Sequence, residues 1–119
     1  MDDGKKVIIN GVPYVPARTL ESTLDGMEYC VIRSQFAGVF AGYIAERNGD
    51  EVKAINVRRL WYWDGADSLS QLAMEGVKKP ENCRFLCVVN EVLILGVIEI
   101  INCTEDARQS ISEVPVWEK

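Results

Sequence analysis

Apolar residues in this chain fall mostly into short runs of strand type, separated by turn-forming pairs. The most telling stretch runs from Arg33 to Trp63, where two apolar-rich runs flank Asn48-Gly49. An Asn-Gly pair tolerates positive φ at both positions, so it predicts a two-residue type I′ turn and a β-hairpin. Counting outward from that turn, Arg47 faces Asp50, Phe40 faces Val57, Gly38 faces Arg59 and Phe36 faces Trp61. Side chains alternate along a strand. One face therefore carries Arg59, Trp61 and Trp63, opposite Ser34, Phe36 and Gly38. The other carries Arg58, Leu60 and Tyr62, opposite Val39, Ala37 and Gln35. A β-bulge at Ala37-Gly38 would exchange the faces beyond it.

The same kind of pattern places the other elements. Val7-Ile8-Ile9, Asn10-Gly11 and Val12-Pro13-Tyr14-Val15 predict a small hairpin, with Pro13 confined to an edge because it donates no ladder hydrogen bond. Thr19 to Leu24 predicts one or two helical turns stopped at Gly26. Glu28 to Arg33 leads as a strand into the central hairpin. Ser68 and Gln71 have capping-box spacing and open a short helix with Leu69, Leu72, Ala73 and Gly76 on one side, ended by Gly76. Phe85 to Val89 and Val92 to Ile101 predict two strands turning at Asn90-Glu91, with a bend at Gly96. Their apolar character suggests the middle of a sheet or an oligomer interface. Thr104 caps a second helix whose Ala107 and Ile111 face the core, while Arg108 points elsewhere. Pro115 ends it, leaving Val116-Trp117 as a tail that packs on a partner. The expectation is an α+β fold: one domain over residues 1–119, a small antiparallel sheet of hairpins and two short helices, assembled as an oligomer.

Composition narrows the function classes. Nearly half of the 119 residues are hydrophobic, enough for one modest core. The net charge of −5 argues against bulk binding to nucleic acid or anionic membrane, but leaves room for a local basic pocket. The Met-Asp-Asp-Gly-Lys-Lys start has no apolar segment and predicts no signal peptide. The run from Phe85 to Ile101 is broken by Asn90, Glu91 and Glu99 and does not predict a membrane span. Cys30, Cys83, Cys87 and Cys103 read as reduced, buried thiols. Only Cys83 and Cys87 are close, and their C-x3-C spacing is poor for zinc, so no metal and no cofactor is expected. The chain has no histidine, which removes the commonest general base and metal ligand.

What remains is a set of rings and guanidinium groups around the central hairpin. Aromatic rings stack on flat bases, and an arginine fork holds phosphate bidentately. Such a face suits a nucleotide-like anion. It equally suits ordinary strand packing, since Trp, Tyr and Phe favour strands and arginine often lies over a ring at a surface. The start of the Ser68 helix offers free N–H groups a few residues after Trp63, although Asp67 beside it repels anions.

Several motifs together carry a resemblance. They are Arg33 with Ala37-Gly38-Val39-Phe40-Ala41-Gly42-Tyr43, then Arg58-Arg59-Leu60-Trp61-Tyr62-Trp63, then Ser68 to Gly76. Cys103-Thr104-Glu105 and Val114-Pro115-Val116-Trp117 complete the set. Over roughly residues 29 to 118 the chain resembles the small phage proteins called Thoeris anti-defence protein 1; Pro13 to Met27 is longer than in that family. The resemblance implies a sponge, not an enzyme. It would sequester, without cleaving it, the glycosyl-cyclic ADP-ribose made by bacterial TIR-domain enzymes, in the cytoplasm of an infected host, so that the downstream effector stays off. It further implies a dimer or hexamer with ligand held where protomers meet, and in some members uptake of cyclic trinucleotides at separate sites. On this reading Phe36, Trp61 or Trp63 stacks on the adenine. Arg58 or Arg59 clamps the pyrophosphate, with Arg33 nearby. Ser70 and Gln71 bond a ribose or phosphate, Gly38 gives the ligand room, and Arg108 reaches a neighbouring site. Arg58→Ala, Arg59→Ala and Trp61→Ala should then each weaken binding while the fold survives. An enzyme that degrades a cyclic nucleotide and a single-stranded nucleic-acid module are the alternatives.

Overall fold

A computed structural model of the chain describes residues 8–9, 12–13 and 23–118. Ile8–Ile9 (β1) and Val12–Pro13 (β2) pair antiparallel, Ile8 opposite Pro13, in agreement with a small hairpin there; its Asn10-Gly11 turn lies outside the described residues. The helix expected over Thr19 to Leu24 is corrected where it can be seen. Residues 19–22 lie outside the described residues, but Thr23–Leu24 (β3) is a strand paired with Met27–Ser34 (β4). Asp25 and Gly26 are the two central turn residues, with φ of 51° and 82°. Positive φ at both positions is the type I′ requirement, and Asp-Gly is among the pairs that meet it.

The central hairpin exists, as Gly38–Asn48 (β5) and Glu51–Tyr62 (β6), but its turn sits one residue later than expected. Asn48 pairs with Glu51, so Gly49 and Asp50 are the central residues, and of these only Gly49 has positive φ, at 65°. That is the type II′ pattern, with glycine first. The register then shifts at Ala45 on β5 and at Asn56 on β6, where Asn56 takes φ of 48°. An extra residue on each strand in turn cancels, so the pairing beyond keeps the two-position displacement that the later turn sets. Phe40 therefore faces Arg59, not Val57, and the pairs Gly38–Arg59 and Phe36–Trp61 do not form. An even displacement keeps every residue on its face. Arg59 and Trp61 stay on one side of β6, Arg58 and Leu60 on the other.

The strands after the first helix also differ from expectation. They are Arg84–Phe85 (β7), Val89–Ile94 (β8) and Val97–Asn102 (β9), and the break falls at Leu95-Gly96. Asn90 and Glu91 lie within β8, and Glu91 pairs with Ile55. Gly96, at φ 68°, is the residue that turns the chain. The expected place in the middle of the sheet is corrected as well: β8 pairs with β6 and β9 with β4, so both are margins of the order β9-β4-β5-β6-β8 within a seven-stranded antiparallel sheet. Connectivity forces that sheet to curl. Three Cα steps from Ile94 to Val97 reach at most about 11 Å, whereas a flat five-strand width is about 19 Å. Hydrogen bonds fasten the closure: Gln35 N–H to Gly96 O at 2.8 Å, Ser34 Oγ to Leu95 O at 2.6 Å and Val97 N–H to Asp50 O at 2.9 Å.

Two cores result, one on each face. Cys30, Ile32, Phe40, Val52, Ala54, Val57 and Ile94 fill the curl. Tyr29, Val31, Ala41, Leu60 and Phe85 pack on the other side against the helices Leu69–Glu75 (α1) and Glu105–Glu113 (α2). Both helices begin where expected: the Ser68 side chain accepts from Gln71 N–H and that of Thr104 from Ala107 N–H. Thr104 also donates to Met74 O at 2.7 Å, which ties α2 to α1. The tail after Pro115 packs on its own chain, Val116 bridging to Phe85 in parallel. The chain forms one small domain, mostly strands. No disulfide joins the four cysteines, and Cys87 is exposed, contrary to expectation. No helix among the described residues is long and apolar enough to cross a membrane.

Candidate ligand-binding site

Arg59 and Phe40 are cross-strand partners, and the arginine uses the pairing to lie over the ring, 4.7 Å from guanidinium carbon to ring centre. Phe40 is buried in the curl and Arg59 is exposed, so the guanidinium sits over the ring at the mouth of a groove. Phe36, Ala37, Phe40, Arg59 and residues 92–95 line this groove of about 370 Å³. Phe36 comes to it through the β4–β5 turn. Ser34 Oγ accepts from Phe36 N–H and Ala37 N–H, and the Phe36 ring lies against Gly96. At 85% exposure this ring has almost no protein cover. Gly38, at φ 97° with open space beside it, leaves the approach unobstructed. Among the described residues, no ion pair or hydrogen bond engages the Arg59 guanidinium.

The structure thus brings Phe36, Gly38 and Arg59 to one region, with Phe40 as the platform that sequence reasoning missed. Trp61 follows on the same face, 63% exposed, with its ring 5.7 Å from Trp117 in an edge-on contact. The other expected site residues are elsewhere. Arg58 is buried at 3% exposure and donates from Nε to Leu86 O at 2.8 Å, from Nη1 to Ile111 O and Val114 O, and from Nη2 to Phe85 O. Two of these carbonyls belong to the C-terminal end of α2, where helix carbonyls lack partners and the dipole is negative. Burial pulls the Arg58 pKa below its ordinary value. Arg58 is a structural tie and offers a ligand nothing.

Arg33 pairs with Glu99 at 3.0 Å, which also gives Glu99 its partner. Arg108 pairs with Glu105 at 2.6 Å, and that hydrogen bond raises its pKa. Trp63 is half-buried against the helical core. Ser70 is exposed on α1, and Gln71 is engaged, accepting from Asp67 N–H and donating to Glu75. Trp63, Ser70, Gln71 and Arg108 belong to the helical side, away from the groove. Sequence reasoning also missed Arg84, whose guanidinium lies over Trp117 and Tyr62. Its only signal was a cation flanked by Cys83 and Phe85. Among the described residues no cluster of His, Cys, Asp or Glu is placed to hold a metal ion.

A family profile described as a domain of unknown function, DUF6948, matches residues 27–111. The chain belongs to the DUF6948 family. No curated protein and no solved structure matches it. The matched span of this DUF6948 chain takes in β4 to β9, both helices to Ile111 and every residue of the groove.

Proposed function

We propose that the chain is a phage sponge that binds glycosyl-cyclic ADP-ribose in the Phe36–Phe40–Arg59 groove and withholds it from a bacterial effector. The observation that carries this reading is Arg59: exposed, stacked on Phe40, and without an acceptor among the described residues. A guanidinium fixed by a ring beneath it has its outward N–H groups free for the oxygens of a pyrophosphate, at little entropic cost. Phe36 is an uncovered ring beside it for the adenine. Leu93 and Leu95, 59% and 53% exposed, add apolar wall.

The groove is open, so a dinucleotide-sized ligand would stay wet in one protomer. A second protomer closing over it, in a dimer or hexamer, belongs to the reading, as does the cytoplasm of an infected cell as the setting. Uptake of cyclic trinucleotides would need sites beyond the groove. Absence of histidine favours holding the ligand over cleaving it. The test is to saturate the protein with the compound, heat-denature it and analyse what is released. Intact compound is expected; a converted product would make the protein an enzyme.

A further inference from the structure

Arg84 repeats the arrangement of Arg59 in a different place. Tyr62 and Arg84 are paired across β6 and β7, and the tail returns along β7 so that Trp117 N–H bonds Phe85 O at 2.9 Å. The Arg84 guanidinium carbon therefore lies 5.2 Å from the centre of the Trp117 ring and 5.8 Å from that of Tyr62. Trp61 meets Trp117 at 68° and keeps 63% of its surface open. Acidic residues outnumber basic ones by 18 to 13, yet among the described residues Arg84 has no carboxylate and no carbonyl on its guanidinium. Arg33, Lys53 and Arg108 each took a carboxylate. An exposed cation held between two rings and left without an anion has donors to spare, and the open indole beside it is a stacking surface.

We propose that Arg84, Tyr62, Trp117 and Trp61 form a second site, distinct from the Arg59 groove, that takes a small aromatic phosphate of the nucleoside monophosphate class. Arg84 holds the phosphate and the free face of Trp61 takes the base. A long polyanion is disfavoured by the net charge of −5. The site stands independently of the sponge reading, since it shares neither Phe36 nor Arg59.

The test follows the indole N–H signals of Trp61, Trp63 and Trp117 by NMR, assigned with single Trp→Phe variants, during titration with adenosine 5′-monophosphate. The signals of Trp61 and Trp117 shift and that of Trp63 stays. Adenosine alone and inorganic phosphate alone bind at least tenfold more weakly. Arg84→Gln, which removes no hydrogen bond and so leaves the fold intact, weakens the nucleotide at least tenfold. Arg84→Lys does not restore it, because a point charge lacks the flat fork. Arg59→Gln leaves the titration unchanged. Unmoved indole signals at millimolar nucleotide, or an Arg84→Gln titration equal to that of the parent, overturns the proposal. Loss of the shifts in Arg59→Gln overturns the separateness of the site.

Discussion

Arg58 and Arg59 are neighbours in sequence with opposite fates. Alternation along β6 turns one into the helical core and leaves the other at the groove. No local rule distinguishes them, because the difference lies in what packs against each face. For Arg58 that is the end of α2, 53 residues further on. The prediction for Arg58→Ala is consequently a loss of stability. It strands the carbonyl of Val114 in a buried site and takes a donor from those of Ile111, Phe85 and Leu86, at a cost of about 3 kcal/mol or more. Urea denaturation should show the midpoint falling sharply, with Arg58→Lys intermediate. A midpoint equal to that of the parent would mean that the arginine is not the tie between β6 and α2.

At the level of elements, periodicity and capping residues located the central hairpin and both helices. Ser68 and Thr104 are caps whose side-chain oxygens serve local N–H groups, which is why their signal survives in sequence. Register was less legible. The turn moved to Gly49-Asp50 because one glycine satisfies a type II′ turn without help from Asn48, and compensating bulges at Ala45 and Asn56 depend on cross-strand packing that no single strand encodes. Asp25-Gly26 makes a type I′ turn where Thr19 to Leu24 suggested a helix stopped at Gly26. The curl was hidden because β8 and β9 meet only through pairing to distant strands. Gly42 marks where the bulged hairpin is tightest: a Cβ there would stand 2.6 Å from Val57 Cβ and 2.8 Å from Val57 Cα. Gly42→Ala should therefore cost about 2 kcal/mol from overpacking, read as a lower thermal midpoint. An unchanged midpoint would show that β5 and β6 are less closely apposed.

Across the whole molecule, the helical core buries ionisable groups in neutral form. Burial, with the neighbouring Cys30 thiol adding to it, pushes the Cys103 thiol up to about 12. Burial likewise raises Cys83 and Tyr29. Each folded-state pKa lies above its unfolded value, so the stabilisation is complete below the unfolded pKa and is lost as pH rises through the window. For Cys103 that window runs from 9.0 to about 12. Above the unfolded thiol pKa of 9.0, unfolding free energy should fall by about 1.4 kcal/mol per pH unit for each group titrating. Cys103→Ala should flatten the slope, whatever it does to the absolute value; equal slopes in both proteins would exclude Cys103 as a source.

The same fold sets rings under two exposed arginines, and the functional reading rests on the one at the groove. Isothermal calorimetry of the protein with glycosyl-cyclic ADP-ribose, beside Arg59→Ala, tests it most directly. The account predicts saturable binding that weakens about tenfold to a hundredfold in the variant, as expected for losing about 1.5–3 kcal/mol of charged hydrogen bonding, with the thermal midpoint unmoved. No binding by the parent, or equal affinity in the two proteins, would contradict it.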